Sequence, residues 1–175
     1  SVFSQLSQER HPIPRWIVVG AGTGGTSATF GRYVKYRRHA TQVAVVDPEG
    51  SAFYHGWAGT PDAPAGRPSR IEGIGRPQVE ASYVPSVIDE MIRVPDAGSI
   101  AAIRLLRDRT LHWAGGSTGT NLYGAFQLIA RMRAAGETGS VVTLICDSGV
   151  RYAGTYYSDD WVALQGWDMM PHRER

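Results

Sequence analysis

The sequence predicts an α/β fold, a mostly parallel sheet flanked by helices. Three short runs carry the prediction: Trp16-Ile17-Val18-Val19, Gln42-Val43-Ala44-Val45-Val46 and Val141-Val142-Thr143-Leu144-Ile145-Cys146. Each is nearly continuous in apolar residues rather than alternating, the pattern of a strand buried on both faces. Between the first two, residues 25–38 place Phe30, Tyr33 and Val34 at helical spacing. Parallel neighbours need a crossover of that kind, so the simplest account is a βαβ unit.

The other elements follow in order. A helix is expected over residues 2–9. Residues 47–77 are dense in glycine and proline, among them Pro48, Gly50, Gly59, Pro61 and Pro64. A structureless stretch of that length is uncommon in a compact domain unless it carries a site, so it is read as a long functional loop. After Pro95-Asp96, residues 97–109 carry Ile100, Ile103 and Leu106 on one helical face. Residues 120–134 repeat Leu122, Ala125, Phe126, Ile129 and Met132 at intervals of three and four. Arg131 and Arg133 fall in the last turns of that helix, where cations complement its dipole. No internal repeat or domain boundary is visible, and the chain reads as one domain over residues 1–175.

Composition narrows the function. With 42% apolar and 19% charged residues, the 175-residue chain can build a core. Its net charge is +2, and its basic residues are scattered without aromatic interleaving, which argues against a nucleic-acid partner. No apolar run approaches the roughly twenty residues that span a bilayer. Cys146 is the single cysteine, which excludes an intrachain disulfide and points to a reducing, cytoplasmic setting; its expected role is a small core residue. The five histidines show no metal-ligand spacing, and only His55, in the long loop, invites attention. Trp161 and Trp167 are expected to pack. The chain begins at Ser1 rather than methionine, as a processed or cut chain would.

The chemistry concentrates in Gly20-Ala21-Gly22-Thr23-Gly24-Gly25-Thr26, which follows a strand and opens a helix. Glycine permits positive φ and close backbone approach, and the amides and dipole of the following helix attract an anion. Those features identify a phosphate, not its owner. Gly20-x-Gly22-x-x-Gly25, with Asp47 at the end of the next strand, matches the dinucleotide fingerprint and leaves a nicotinamide or flavin oxidoreductase open. The Walker lysine is absent, which disfavours a nucleoside triphosphate. Asp47 could otherwise simply end its strand in an Asp-Pro turn, and Ser117 could cap the helix after it.

Four further segments, taken with the loop itself, arbitrate. Gly22-Thr23-Gly24-Gly25-Thr26, Asp47-Pro48-Glu49-Gly50-Ser51, Ile71-Glu72-Gly73-Ile74-Gly75, Gly115-Gly116-Ser117-Thr118-Gly119 and Asp147-Ser148-Gly149-Val150-Arg151-Tyr152, in that order, resemble the cysteine synthase and cystathionine β-synthase family, fold type II of the pyridoxal phosphate enzymes. Trp161, preceded by Ser158-Asp159-Asp160, fits the same pattern. The resemblance implies pyridoxal 5'-phosphate as cofactor and the large-domain portion of that fold. It implies that Gly22, Thr23, Gly24, Gly25 and Thr26 hold the phosphate and Ser117 meets the ring nitrogen. Asp147 and Ser148 would border the ring, and Gly73, Ile74 and Gly75 would face a small amino-acid substrate. The implied reaction is β-replacement or β-elimination on cysteine or serine, in a homodimeric parent, cysteine synthase-like with cysteine desulfhydrase activity close behind.

The departures are informative. Arg76-Pro77 stands where cystathionine β-synthases carry an aromatic residue, which argues against a homocysteine-type second substrate. Lys35 is the only lysine, and it lies on a helix leading away from the phosphate loop. The cofactor needs a lysine amine as its covalent anchor. The chain is therefore expected to be the carboxyl-terminal part of an enzyme, with no catalytic residue of its own and inactive alone. A regulatory domain that keeps the fold without the amine is the non-enzymatic alternative.

Overall fold

The computed structural model describes residues 2–60 and 65–173, the last of these by its backbone only. Among the described residues four strands, β1 (Trp16–Gly20), β2 (Gln42–Pro48), β3 (Glu90–Val94) and β4 (Val141–Thr143), form one parallel sheet in the order β3-β2-β1-β4. The helices are α1 (Val2–Gln5), α2 (Gly25–Arg37), α3 (Phe53–Ala58), α4 (Asp96–Thr110), α5 (Gly116–Ala134), α6 (Asp159–Leu164) and α7 (Met170–Arg173).

The continuous apolar runs are explained by helices on both faces. Ile17, Val19, Val43 and Val45 point to one side, where they meet Val34 of α2 and Phe53 of α3. Trp16, Val18, Ala44 and Val46 point to the other and meet Leu128 and Met132 of α5. Neither side tolerates polar alternation, because neither faces water. Helix α4 lies against α5. A Cβ on Gly119 would stand 1.9 Å from the Ser99 carbonyl oxygen, and the Ser99 and Thr120 hydroxyls meet at 2.7 Å. A third cluster, including Ile71, Ile100, Ile103 and Tyr156, ties the carboxyl-terminal segment and residues near 71–74 to α4. Trp161 and Trp167 pack edge-on there, ring centroids 5.5 Å apart.

Several expectations need correction. Strand β3, which no apolar run announced, interrupts its apolar residues with Glu90 and Arg93, because an edge strand, paired among the described residues to β2 alone, leaves part of its length to solvent. The predicted loop over 47–77 contains α3, while residues 61–64, with Pro61 and Pro64, lie outside the described residues. The run over 141–146 is strand only to Thr143; the Leu144 carbonyl instead accepts from the Asn121 side chain at 3.2 Å. The predicted helix over 2–9 divides into α1 and a 3-10 turn at Leu6–Gln8. Helix α5 starts at Gly116, four residues early, with Gly115 as its N-cap. Ser117 is therefore in the first turn and is not the cap.

This topology also places the functional crevice. From β1 the chain winds to β2 and β3 on one side, and β4 returns on the other. At such a switch point the loops leaving the carboxyl ends of two adjacent strands diverge and leave a crevice between them.

Candidate functional site

A cavity of about 520 Å3 opens there, beyond the ends of β1 and β4. Gly22, Thr23, Gly24, Gly25 and Thr26 form one wall of it. The carbonyls of this loop are turned away to partners: Ala21 accepts from the Gly75 amide at 3.0 Å, Thr23 from the Ser82 hydroxyl at 2.6 Å, and Gly24 from the Ser27 hydroxyl at 2.9 Å. The amides of Gly22 to Thr26 find no acceptor among the described residues. Donors without acceptors, at the amino end of a thirteen-residue helix, form a positive concavity suited to an anion.

The glycines are required by contact and conformation. Gly24 has φ +84, and a Cβ there would lie 2.7 Å from the Tyr83 Cα. A Cβ on Gly22 would lie 2.4 Å from the Gly73 carbonyl oxygen, so the two glycine segments approach only without side chains. Gly73 and Ile74 line the cavity beside Glu72. Gly75, with φ +76, does not line it and instead packs toward Ser69 and Pro48.

Helix α5 supplies the floor. Ser117 is 8% exposed and Asn121 1% exposed, both lining the cavity. The Ser117 hydroxyl has no partner among the described residues. Asn121 donates to the Leu144 carbonyl, while its buried side-chain oxygen is unpartnered. Unpaired buried polar atoms are costly unless a ligand or water meets them.

Cys146, Asp147, Arg151 and Tyr152 also line the cavity, with the Cys146 amide donating to Thr118 Oγ1 of α5 at 2.9 Å. Cys146 is not the small core residue expected from its chemistry; it is exposed. The Tyr152 hydroxyl lies 2.7 Å from Asp147 Oδ2 and 3.1 Å from Glu72 Oε2. Burial first, and then these carboxylates, push the phenol pKa up, so Tyr152 stays protonated and its single proton links the two acids. Arg151 also bonds Glu72 at 3.1 Å, on the solvent side. Ser148 is exposed, and its hydroxyl accepts from the Val150 amide, capping a 3-10 turn at Gly149–Tyr152. It does not line the cavity, nor do His55 and Lys35. Lys35 is exposed, and its amine donates to the Ser86 carbonyl at 2.5 Å.

Asp47 does more than end a strand. It is fully buried and accepts from the Tyr54 amide at 3.1 Å. Beside it Ser51 Oγ accepts from the Arg76 amide at 3.2 Å, which holds the segment after Gly75. Burial pushes the Asp47 pKa up to about 6, against the lowering pull of Ser51 and the Tyr54 amide. A carboxyl whose folded pKa is raised favours folding in its protonated form. That contribution is complete below about 4 and is lost as pH rises through about 6. Between these limits the wild type should lose roughly 2–3 kcal/mol relative to Asp47→Asn. Melting curves over that range should show the wild-type midpoint falling against the variant's by roughly 5 °C; parallel pH profiles would refute the assignment.

The family described as pyridoxal-phosphate dependent enzyme matches residues 2–147. The chain belongs to this family. Among pyridoxal-phosphate dependent enzymes it is 59% identical over 169 residues to L-cysteine desulfhydrase Cds1 of Mycobacterium tuberculosis (strain ATCC 25177 / H37Ra), covering 96% of this chain and 46% of that protein. It is 31% identical over 153 residues to cysteine synthase 2 of Emericella nidulans, covering 81% of this chain and 35% of the relative. The crystal structure of O-ureido-L-serine synthase shares the fold, with TM-score 0.73 and 23% identity over 93% of this chain and 50% of that one. The chain spans less than half the length of these curated relatives.

Sequence reasoning missed Asn121, Glu72 and Tyr152 as cavity residues and misplaced Cys146. Asn121 had a signal: it is a polar residue in a helix of otherwise apolar periodicity, next to the glycine-rich turn.

Proposed function

We propose that this chain forms the phosphate and ring walls of a pyridoxal phosphate site, in an enzyme of β-elimination or β-replacement on cysteine- or serine-type amino acids. Release of sulfide from cysteine is the leading activity. The observation that carries the reading is the run of unpartnered amides from Gly22 to Thr26 at the amino end of α2. The 59% identity to a protein named L-cysteine desulfhydrase supports sulfide release over replacement.

The residues present fit the cofactor. Gly22, Thr23, Gly24, Gly25 and Thr26 would hold its phosphate through amides and hydroxyls. Ser117, whose hydroxyl is unpartnered, would hydrogen-bond the ring nitrogen, and Asp147 and Ser148 would flank the ring segment, Ser148 by shaping the turn after it. Gly73 and Ile74 would bound the substrate's space, Gly75 holding their turn. When bound, the cofactor makes the substrate's Cα proton acidic and its β-substituent expellable. A hydroxyl at Ser117, unlike a carboxylate, does not hold the ring nitrogen protonated. The Tyr152 proton keeps Asp147 and Glu72 in place beside the cavity.

The dinucleotide alternative is disfavoured by Asp47. Its fingerprint needs a carboxylate free to meet a ribose, and Asp47 is buried, engaged by the Tyr54 amide and absent from the cavity wall. The anchoring amine would come from a lysine beyond residues 1–175, and the chain alone would be inactive. The family resemblance extends the proposal to a cytoplasmic homodimer, which sedimentation velocity on the full-length protein tests for its oligomeric part.

Ser117→Ala in the full-length protein should weaken cofactor binding about fivefold, one hydrogen bond of about 1 kcal/mol. Ser117→Asp should bind the cofactor yet release sulfide from cysteine more slowly, because a carboxylate favours the protonated ring. Sulfide release by the Asp variant at the wild-type rate would refute the role of Ser117.

A further inference from the structure

Arg76 follows the glycine segment that borders the phosphate loop, and it lines the cavity although Gly75 before it does not. Its backbone is fixed on both sides: the amide donates to Ser51 Oγ at 3.2 Å, and the carbonyl accepts from the Ala52 amide at 2.9 Å. The segment runs beside the loop. The Gly75 amide donates to the Ala21 carbonyl at 3.0 Å, and a Cβ on Gly22 would stand 2.4 Å from the Gly73 carbonyl oxygen. Further on, the Ser82 hydroxyl donates to the Thr23 carbonyl at 2.6 Å.

Among the described residues two cations line the cavity, Arg76 and Arg151. They are not equivalent. Arg151 is bonded to Glu72 at 3.1 Å. Arg76 donates through Nη1 alone, to the Gly75 carbonyl at 3.3 Å, and its Nε stands 3.7 Å from Glu80, beyond hydrogen-bond distance. Both side chains of that pair are more than a third exposed or close to it, at 38% and 35%, so water screens their attraction. The carboxylates in the lining, Glu72 and Asp147, are both tied to the Tyr152 hydroxyl. Arg76 is therefore the cation of the cavity with donors to offer, and a guanidinium offers them to oxyanions in pairs.

We infer that Arg76 is a binding residue for the cofactor phosphate, a full positive charge added to the partial charges of the Gly22 to Thr26 amides. The amides orient the phosphate at the end of α2, and the guanidinium exchanges its screened attraction to Glu80 for a charge-assisted contact with a phosphate oxygen. The inference rests on the cofactor reading above.

The test compares the full-length wild type, Arg76→Gln and Arg76→Lys, each stripped of cofactor, by equilibrium dialysis against pyridoxal phosphate, pyridoxal and inorganic phosphate. Arg76→Gln should weaken pyridoxal phosphate and inorganic phosphate about tenfold each, the effect of one charge-assisted hydrogen bond. Pyridoxal, which has no phosphate, should bind within about twofold of the wild type, and Arg76→Lys, which keeps the charge, should recover most of the loss. Unchanged affinity of Arg76→Gln for both phosphates would overturn the inference. An equal loss for pyridoxal would also overturn it, because it would mean a displaced wall rather than a lost phosphate contact. A wild type that binds inorganic phosphate but neither form of the cofactor would instead overturn the cofactor reading, while the inorganic phosphate affinities still decide the role of Arg76.

Discussion

Gly25→Asp should weaken binding of pyridoxal phosphate to the full-length protein by about a hundredfold or more while leaving the fold intact. The added Cβ has room, since its nearest neighbour is Thr23 Oγ1 at 3.6 Å, an ordinary contact. Nor does Gly25 use the left-handed region that Gly24 requires. The carboxylate would enter the wall of unpartnered amides, satisfy some of them and repel the phosphate dianion. Losing one charge-assisted contact and gaining a like charge together cost about 3 kcal/mol or more. Gly24→Asp would be a poorer experiment. With φ +84 and Tyr83 Cα 2.7 Å from the new Cβ, it confounds lost binding with a strained turn. Equilibrium dialysis with circular dichroism separates the two effects for Gly25→Asp. A folded variant with wild-type affinity would remove the phosphate from this loop.

The second large effect is on stability. Gly119→Val should destabilise the protein by about 3 kcal/mol or more, enough to leave much of it insoluble. Its Cβ would stand 1.9 Å from the Ser99 carbonyl oxygen and 2.7 Å from Ile103 Cγ2. A backbone carbonyl cannot swing aside like a long side chain, so α4 and α5 would have to separate. The buried bond between Ser99 and Thr120 would go with them. Gly154→Ala is the control, because nothing lies within 4 Å of its added Cβ and its φ is not left-handed; its effect should stay within about 0.5 kcal/mol. Urea midpoints for the pair decide the matter. A Gly119→Val variant as stable as Gly154→Ala would mean that the two helices do not touch here.

What the sequence disclosed follows from what kind of information each feature is. Burial on both faces writes itself into consecutive residues, which is why β1 and β2 were legible in their apolar runs. Strand β3 was not, because an edge position admits Glu90 and Arg93. The phosphate loop was legible because close approach and positive φ both demand glycine, and no other residue meets that demand cheaply. The remaining wall was harder. Tyr152 reaches Glu72 across a separation of eighty residues, and no local pattern announces such a pair. Cys146 was misread because small apolar residues usually pack inward, whereas its strand ends three residues earlier. Ser148 and Gly75, carried over from family motifs, do not line the cavity as their neighbours do.

The central claim is that this chain provides the cavity for pyridoxal phosphate while a lysine elsewhere in the protein provides the amine. Borohydride fixes the cofactor to whichever lysine holds it. The full-length protein should therefore be loaded, reduced, digested and mapped by mass spectrometry. The account predicts a single pyridoxyl-lysine outside residues 1–175, with Lys35, exposed and bonded to the Ser86 carbonyl, unmodified. A single stoichiometric adduct at Lys35, in a protein that releases sulfide from cysteine, would contradict it.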